Sequence, residues 1–363
     1  MSVAKFHALQ VKDVRKETSD CVSVAFQVPE SLASVFTFQA GQYLTLRQTI
    51  GGAEVRRSYS ICSGTADQEL RVAIKEVPNG KFSTYANHAL KQGDVLDVMT
   101  PMGKFTPKTK GQGAKHYLLI ASGSGITPIF SILKTVLQQD AHSTVTLLYG
   151  NKSKNSIIFR EDIEAMKNTY MQRLSVMHVL SREHMEAELF NGRIGAAKCK
   201  ALAMHKLIDI AHTDEAFICG PEAMILEVKD TLLALGMDAT AVHVELFSSP
   251  EQPHVKHEKW VAAHAHDAAQ TSKVSITLDG NTFEMDLAYN GDSILDAALK
   301  MGADLPFACK GGVCCTCRAR VMEGKVDMEL NYALEKDEVE KGFVLTCQSH
   351  PRSERVVIDF DER

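Results

Sequence analysis

Nowhere in the 363 residues does an uncharged apolar run reach the roughly 18 residues that a membrane-spanning helix requires, so no membrane role is expected. The opening stretch, Met1 to Leu9, carries Lys5 and His7 but neither an apolar segment nor a small-residue cleavage site. No signal peptide is read there, and a cytoplasmic location is expected. Positive charge is not in excess: 40 Lys and Arg meet 45 Asp and Glu, a net charge of −5, which argues against nucleic acid as a partner. The acidity is local. From Ser272 to Arg363, eleven Lys or Arg face seventeen Asp or Glu, leaving the rest of the chain near +1. A partner with a basic face would suit that C-terminal third. The composition, 45% hydrophobic and 23% charged, excludes a collagenous or wholly disordered chain. At roughly 150 residues per domain, two or three domains are expected.

Cysteine departs from this ordinary background. There are nine, at 21, 62, 199, 219, 309, 314, 315, 317 and 347. An odd count with four crowded into Cys309–Cys317 points, in a reducing compartment, to metal ligation rather than a disulfide framework. The run Cys309-x4-Cys314-x2-Cys317, followed after 29 residues by Cys347, has the spacing of a plant-type two-iron cluster site. Three thiolates from one loop would wrap the cluster and a distant fourth would close it. Gly311 and Gly312 let the loop pass close to the sulfides without a Cβ clash, and its N–H groups can donate to sulfur. Cys315 falls out of register, although Cys314-Cys-Thr-Cys317 offers another register. Structural zinc is the competing reading. It usually shows two Cys-x2-Cys-like pairs, whereas here the first gap is four and Cys347 stands alone.

Around that loop the chain changes pattern three times. Up to about residue 108, short alternating segments (22–28, 43–46, 58–61, 70–75 and 95–98) are punctuated by Gly and Pro, as in a closed antiparallel β-barrel. From about 109, the continuous apolar run Tyr117-Leu-Leu-Ile-Ala121 reads as a strand buried on both faces. A helix near 129–138 and further strands at 145–149, 174–180 and 216–219 imply a doubly wound α/β parallel sheet ending near Phe247. Residues 248–271 read as an inter-domain linker; its His254, His257, His264 and His266 are taken as part of a solvated tether rather than a metal site. From 272, a hairpin turning at Asp279-Gly280 precedes a helix over Ser293–Met301, capped by Asp292 and ended by Gly302.

Several short motifs lie on this frame. Arg57-Ser-Tyr59-Ser60 offers a cation, a flat ring and a hydrogen-bonding group on one barrel strand, the three things a flavin nucleotide needs. Gly80-Lys-Phe-Ser83 opens a short helix whose free N–H groups suit a pyrophosphate. Gly123-Ser-Gly125-Ile-Thr127-Pro128 lies between a buried strand and a helix, where backbone can approach a second pyrophosphate. Cys219-Gly220-Pro221 ends a strand at the carboxyl edge where open α/β sheets bind ligands. Each alone also suits an ordinary turn or core position.

In this order the motifs resemble the ferredoxin–NADP reductase family over residues 1–247. The segments 304–317 and 345–348 resemble the plant-type ferredoxin family over the last ninety or so residues. The resemblance implies an FAD barrel (1–108), an NAD(P)-binding α/β domain (109–247) and, beyond the linker, a C-terminal α+β β-grasp ferredoxin (272–363). It assigns Arg57 to the flavin phosphate, Tyr59 to the ring, Ser60 to its N5, and Gly80 and Ser83 to the pyrophosphate. Gly123, Gly125 and Thr127 would hold the nicotinamide dinucleotide, Cys219 and Gly220 would border the hydride path, and Glu245 and Phe247 would approach the flavin. Ser181-Arg182 is placed to bind a 2′-phosphate, an arrangement suited to Arg, with Glu183 beside it as an opposing charge. NADPH is favoured, with NADH as the alternative, and Cys309, Cys314, Cys317 and Cys347 are the cluster ligands. Reductase first and ferredoxin last is the order of oxygenase reductases. Within them the chain resembles those of phenylacetyl-CoA epoxidase systems, implying a multi-subunit di-iron oxygenase as acceptor. The reductase of an aromatic-ring dioxygenase, a steroid hydroxylase or a desaturase is the alternative. A zinc-stabilised interaction protein is the reading from another class, and a colourless purified protein would favour it.

Overall fold

Alternation of buried and exposed side chains organises the first hundred residues. The computed structural model describes residues 5–107, 113–247, 260 and 270–362. Six antiparallel strands come first: β1 (Phe6–Thr18), β2 (Cys21–Gln27), β3 (Tyr43–Ile50), β4 (Ala53–Ser60), β5 (Leu70–Lys75) and β6 (Val95–Met99), with α1 (Lys81–His88) between the last two. They run in the order β4-β3-β6-β1-β2-β5. An antiparallel bridge from Ile61 to Val72 brings the end of β4 onto β5, so the outer strands meet and the barrel has no long free edge. Leu9, Val24, Leu44, Leu46, Ile74 and Val98 are fully buried inside it. The long first strand has no counterpart in the sequence pattern. Register shifts at Val11/Asp13 and Lys16/Thr18 break its alternation, and Lys12, Asp13, Arg15 and Lys16 mask what remains.

The second layer is a parallel sheet of β7 (His116–Ser122), β8 (Thr144–Asn151), β9 (Leu174–Leu180), β10 (Glu215–Gly220) and β11 (Val242–Leu246). Between them run α2 (Ile126–Gln139), α3 (Arg160–Thr169), α4 (Ala196–Met204) and α5 (Glu222–Ala234). The order β11-β10-β7-β8-β9 changes direction between β7 and β10, which makes the carboxyl ends of those two strands the natural ligand crevice. Helix α2 is apolar almost all round, and so is buried between two layers. Ile126, Ile129 and Leu133 share one core cluster with the sheet's Leu119 and Ala121 and with the barrel's Cys21, Cys62 and Ala73. Its polar positions hold the barrel: Ser131 Oγ donates to Ser63 O at 2.6 Å, and Thr135 Oγ1 accepts from Thr65 N at 3.1 Å. Barrel and sheet therefore form one compact unit, Phe6–Phe247.

The C-terminal unit is built separately. Its elements are β12 (Thr271–Leu278), β13 (Asn281–Ala288), α6 (Ile294–Lys300), β14 (Arg318–Glu323), β15 (Val326–Met328), α7 (Lys336–Glu340), β16 (Phe343–Leu345), β17 (Ser349–Pro351) and β18 (Arg355–Asp359). The main sheet runs β13-β12-β18-β14-β16, with β12 and β18 parallel and the other pairs antiparallel, and β15 pairs with β17. Helix α6 lays Ile294, Leu295 and Ala298 on Val274, Ile276, Val356 and Ile358, the β-grasp arrangement. The β12–β13 turn uses Asp279 and Gly280, both at positive φ (52° and 72°), as a two-residue hairpin needs. One expectation is corrected. Ser293, not Asp292, caps α6, its Oγ accepting from Asp296 N at 3.2 Å, while Asp292 reaches Lys300 Nζ at 2.6 Å. The short serine side chain sits where the first free N–H groups point; the aspartate one residue earlier does not.

Of the expected linker only Trp260, Gln270 and Thr271 fall within the described residues, and Thr271 already belongs to β12; the four linker histidines and the expected junction at 108–109 lie outside them. No helix among the described residues is long and apolar enough to cross a membrane.

Candidate functional site

Strand β4 carries the first motif. Arg57 and Tyr59 alternate along it, so they share one side, and Ser60 faces the other. Arg57 is exposed, its Nη1 donating to Arg56 O at 2.7 Å. Tyr59 is half-buried against Phe82 of α1, ring centroids 5.6 Å apart, and Phe82 meets Tyr85 edge-on at 6.1 Å. Helix α1 thus fixes the Tyr59 ring. At the start of α1, a Cβ on Gly80 would fall 2.3 Å from Ser83 Oγ and 2.4 Å from Val77 Cγ2, so a larger residue would displace the side chains that shape the turn. The Ser83 hydroxyl is used by the turn itself, accepting from Val77 N and donating to Gly80 O, both at 3.2 Å. What that turn presents is the unpaired N–H groups of the first helical turn.

Ser60 Oγ donates to Glu245 Oε2 at 3.2 Å across 185 residues of chain. Glu245 lies on β11, paired in register with Cys219 on β10. The end of the barrel strand is thereby brought to the carboxyl edge of the parallel sheet. Burial pushes the Glu245 carboxyl up to about 8, so near neutrality it retains its proton. Phe247, just beyond, is 40% exposed.

The second glycine motif is pressed onto the same edge. A Cβ on Gly125 would stand 2.2 Å from the Cys219 carbonyl oxygen, closer than any side chain allows. Gly123 adopts φ +55° with nothing within 4 Å of an added Cβ, so its exposed side is open, and its carbonyl accepts from Tyr149 Oη at 3.0 Å. Thr127 Oγ1 donates to Ser124 O at 3.0 Å and braces the loop from within. Cys219 is fully buried, which raises its thiol well above the ordinary range; it is a neutral wall, not a nucleophile. Gly220 is hemmed by Met224 and by Ser122 of β7. Ser181 and Arg182 lie at the carboxyl end of β9, both exposed. Ser181 N and Oγ donate to Asn151 O at 2.9 and 3.3 Å, and Arg182 N donates to Lys152 O at 2.8 Å.

Four thiols gather in the C-terminal unit. Cys309 and Cys314 bring their sulfurs to 3.1 Å, and the Gly311 N–H points at Cys309 Sγ from 3.3 Å. Contacts from Cys314, then Cys347, hold the Cys309 thiol well below its ordinary range, and Cys347 also meets Cys317. The closing segment is tied to the loop by Thr346 Oγ1 to Cys317 O (2.9 Å) and Gln348 Nε2 to Lys310 O (3.0 Å). Gly312 takes φ +72°, and a Cβ there would stand 2.9 Å from Leu330 O. Cys315 turns away, its Sγ 3.5 Å from Ala333 O. A convergent set of four thiols with an N–H aimed at sulfur fits a [2Fe-2S] cluster.

Three contributors were given no role by sequence: Tyr149, Gln348 and Lys154. A tyrosine in an apolar strand reads as core, and Gln348 entered only as part of the segment that closes on Cys347. Lys154 donates its backbone N–H to Glu183 Oε2 at 2.7 Å and brings its Nζ 3.5 Å from Oε1.

Comparison with known proteins agrees with this layout. Residues 8–106 match the oxidoreductase FAD-binding domain, residues 119–230 the oxidoreductase NAD-binding domain, and residues 276–352 the 2Fe-2S iron-sulfur cluster binding domain. The chain is 43% identical to a component of the 1,2-phenylacetyl-CoA epoxidase of Escherichia coli (strain K12), covering 99% of this chain and 98% of that protein. It is 34% identical to the 3-ketosteroid-9-alpha-monooxygenase ferredoxin reductase component of Rhodococcus rhodochrous, over 97% and 96% of the two chains. Phthalate dioxygenase reductase, described as a modular structure for electron transfer from pyridine nucleotides to [2Fe-2S], shares the fold at TM-score 0.60 and 22% identity, covering 98% of both chains.

Proposed function

The chain belongs to the FAD- and NAD-binding oxidoreductases that carry a 2Fe-2S domain and act as reductase components of oxygenases, and on that premise we propose that it passes electrons from NADPH through FAD and a [2Fe-2S] cluster to the di-iron oxygenase of a phenylacetyl-CoA epoxidase. The observation that carries the reading is the meeting of Ser60 and Glu245 beside Cys219. It brings the barrel motif to the carboxyl edge of the sheet that carries the nucleotide motif, so the residues that would hold a hydride donor and its acceptor meet there.

When bound, FAD would take electrons from the nicotinamide in a pair and release them singly, and the cluster would carry them one at a time to the oxygenase. The chain's own residues do the positioning. Tyr59, fixed by Phe82, supplies a flat apolar face for the ring, and Arg57 reaches outward as the phosphate's cation. Ser60 would offer its hydroxyl to the ring, and Glu245, protonated near neutrality, holds that hydroxyl in place. Gly80 and Ser83 shape the turn that meets the pyrophosphate. Gly123, Gly125 and Thr127 form the nicotinamide dinucleotide's phosphate loop, and buried Cys219 with Gly220 walls the hydride path against water. Ser181 and Arg182 receive the 2′-phosphate of NADPH. Cys309, Cys314, Cys317 and Cys347 ligate the cluster, Cys315 standing outside. In this reading the domains run 1–108, 109–247 and 272–363 with the linker at 248–271, and the protein works in the cytoplasm.

The acceptor class rests on the relatives named above. The 43% identity favours the phenylacetyl-CoA epoxidase reading over a steroid hydroxylase, whose reductase stands at 34%. Reconstitution tests the choice: NADPH, this protein and either oxygenase, with epoxidised CoA ester or hydroxylated steroid measured. Product from the CoA ester alone is expected. Turnover only with the steroid system moves the protein to the second reading.

A further inference from the structure

Glu183 follows the proposed 2′-phosphate residues directly, and a bare carboxylate there would repel a phosphate and welcome a ribose hydroxyl. The fold does not leave it bare. The loop leaving β8 is zipped to the loop leaving β9: Ser181 N bonds Asn151 O at 2.9 Å, and Arg182 N bonds Lys152 O at 2.8 Å. Lys154 then takes both oxygens of Glu183, its backbone N–H on Oε2 at 2.7 Å and its ammonium on Oε1 at 3.5 Å. Lys154 is held in place because it opens a 3-10 turn closed by Ser156, whose Oγ accepts from Ser153 N at 3.0 Å and donates to Ser153 O at 2.7 Å. Within this patch three cations, Lys152, Lys154 and Arg182, stand against one anion. Glu183 keeps about a third of its side chain exposed, so the carboxylate still faces the loop surface, but paired with the Lys154 ammonium. The loops sit at the carboxyl edge of the sheet, on the side of the nucleotide loop.

We propose that Lys154 is a specificity-determining residue that, by engaging Glu183, converts this loop from one that selects against a 2′-phosphate into one that accepts it. The proposal rests on the NADPH reading of Ser181 and Arg182. Glu183 is the element that would otherwise turn the site toward NADH, and Lys154 neutralises it without touching the coenzyme itself. The effect is electrostatic and local, so its size is that of a half-exposed charge pair, and salt weakens it.

The test is the ratio of kcat/KM for NADPH to that for NADH, measured on the full holoprotein with ferricyanide as acceptor. A ratio within one variant is insensitive to its folded fraction. Lys154→Met should lower the ratio about threefold to fivefold and Lys154→Glu about tenfold or more. Lys154→Arg should restore it, and adding Glu183→Gln to Lys154→Met should recover it, because the exposed acid is then gone. The wild-type and Lys154→Met ratios should converge as salt rises. If Arg182→Gln lowers the ratio and Lys154→Met does not, the proposal fails while the 2′-phosphate reading stands. If Arg182→Gln leaves the ratio unchanged, the reading fails and the proposal falls with it. A loss on Lys154→Met that Glu183→Gln does not repair would also overturn it, since Lys154 would then act some other way.

Discussion

A glycine and a glutamate decide most at the residue scale. Gly125 exists because the Cys219 carbonyl occupies the place of its side chain, at 2.2 Å from an ideal Cβ. The carbonyl belongs to backbone and a Cβ is fixed to its Cα, so neither can swing aside, and relief requires the loop and β10 to separate. Gly125→Ala should therefore cost about 1–3 kcal/mol and raise the KM for NADPH by about tenfold while the flavin absorbance is retained; an unchanged KM would contradict the contact. Glu245 carries a proton that an exposed glutamate would have lost. Its carboxyl titrates near 8 in the folded protein against an ordinary 4.5. Between those values the folded state binds more protons than the unfolded one, so stability falls as pH rises and the deficit is complete above the folded value. Glu245→Gln removes this slope. Between about pH 6 and about pH 9, the wild type should lose roughly 2–4 °C more in Tm than the variant. Parallel losses in the two proteins would show that Glu245 is ionised throughout.

At the scale of elements, the ligand loop is the clearest case of local sequence made into geometry. The loop between α6 and β14 turns at Lys310 (φ 50°) and Gly312 (φ 72°), which swings the sulfurs of Cys309 and Cys314 together and carries Cys315 outward to Ala333. Cys315→Ser should leave the visible cluster spectrum and the iron and sulfide content intact, since a hydroxyl can take up the bond to the Ala333 carbonyl; loss of iron would establish the alternative register. Trp260, the only tryptophan, packs 4.2 Å from His350 and beneath the Arg352 guanidinium at 4.7 Å. It therefore belongs with β17 and the C-terminal unit, although its neighbours in sequence read as tether. Helix α2 teaches the reverse lesson: its apolar circumference is explicable only by two layers, sheet and barrel, pressing on it at once.

At the scale of the whole molecule, the chain is two compact units, each with its own core and its own cofactor chemistry. Damage to one should spare the other. Cys347→Ser removes one of the four proposed cluster ligands from the C-terminal unit. The variant should lose iron and sulfide, and with them electron delivery to the oxygenase, yet keep NADPH–ferricyanide activity within about twofold of the wild type, because the flavin edge lies in the other unit. Loss of both activities in a folded variant would refute the separation.

The sequence by itself determined the domain order, the barrel and sheet types and the presence of a 2Fe-2S domain, because each rests on local regularities: period-two alternation, continuous apolar runs, glycine at turns, fixed cysteine spacing. It placed α6, and missed only which neighbouring residue caps it, a matter of one side chain's aim. It did not reveal β1, whose bulges and charges erase the alternation that marks a strand. Tertiary structure alone decided what depends on residues far apart in the chain: that Ser60 touches Glu245, that Cys219 fills the space beside Gly125, that Lys154 covers Glu183. Those contacts follow from strand order and register, which local pattern leaves free and which only the packing of the complete sheet and barrel fixes.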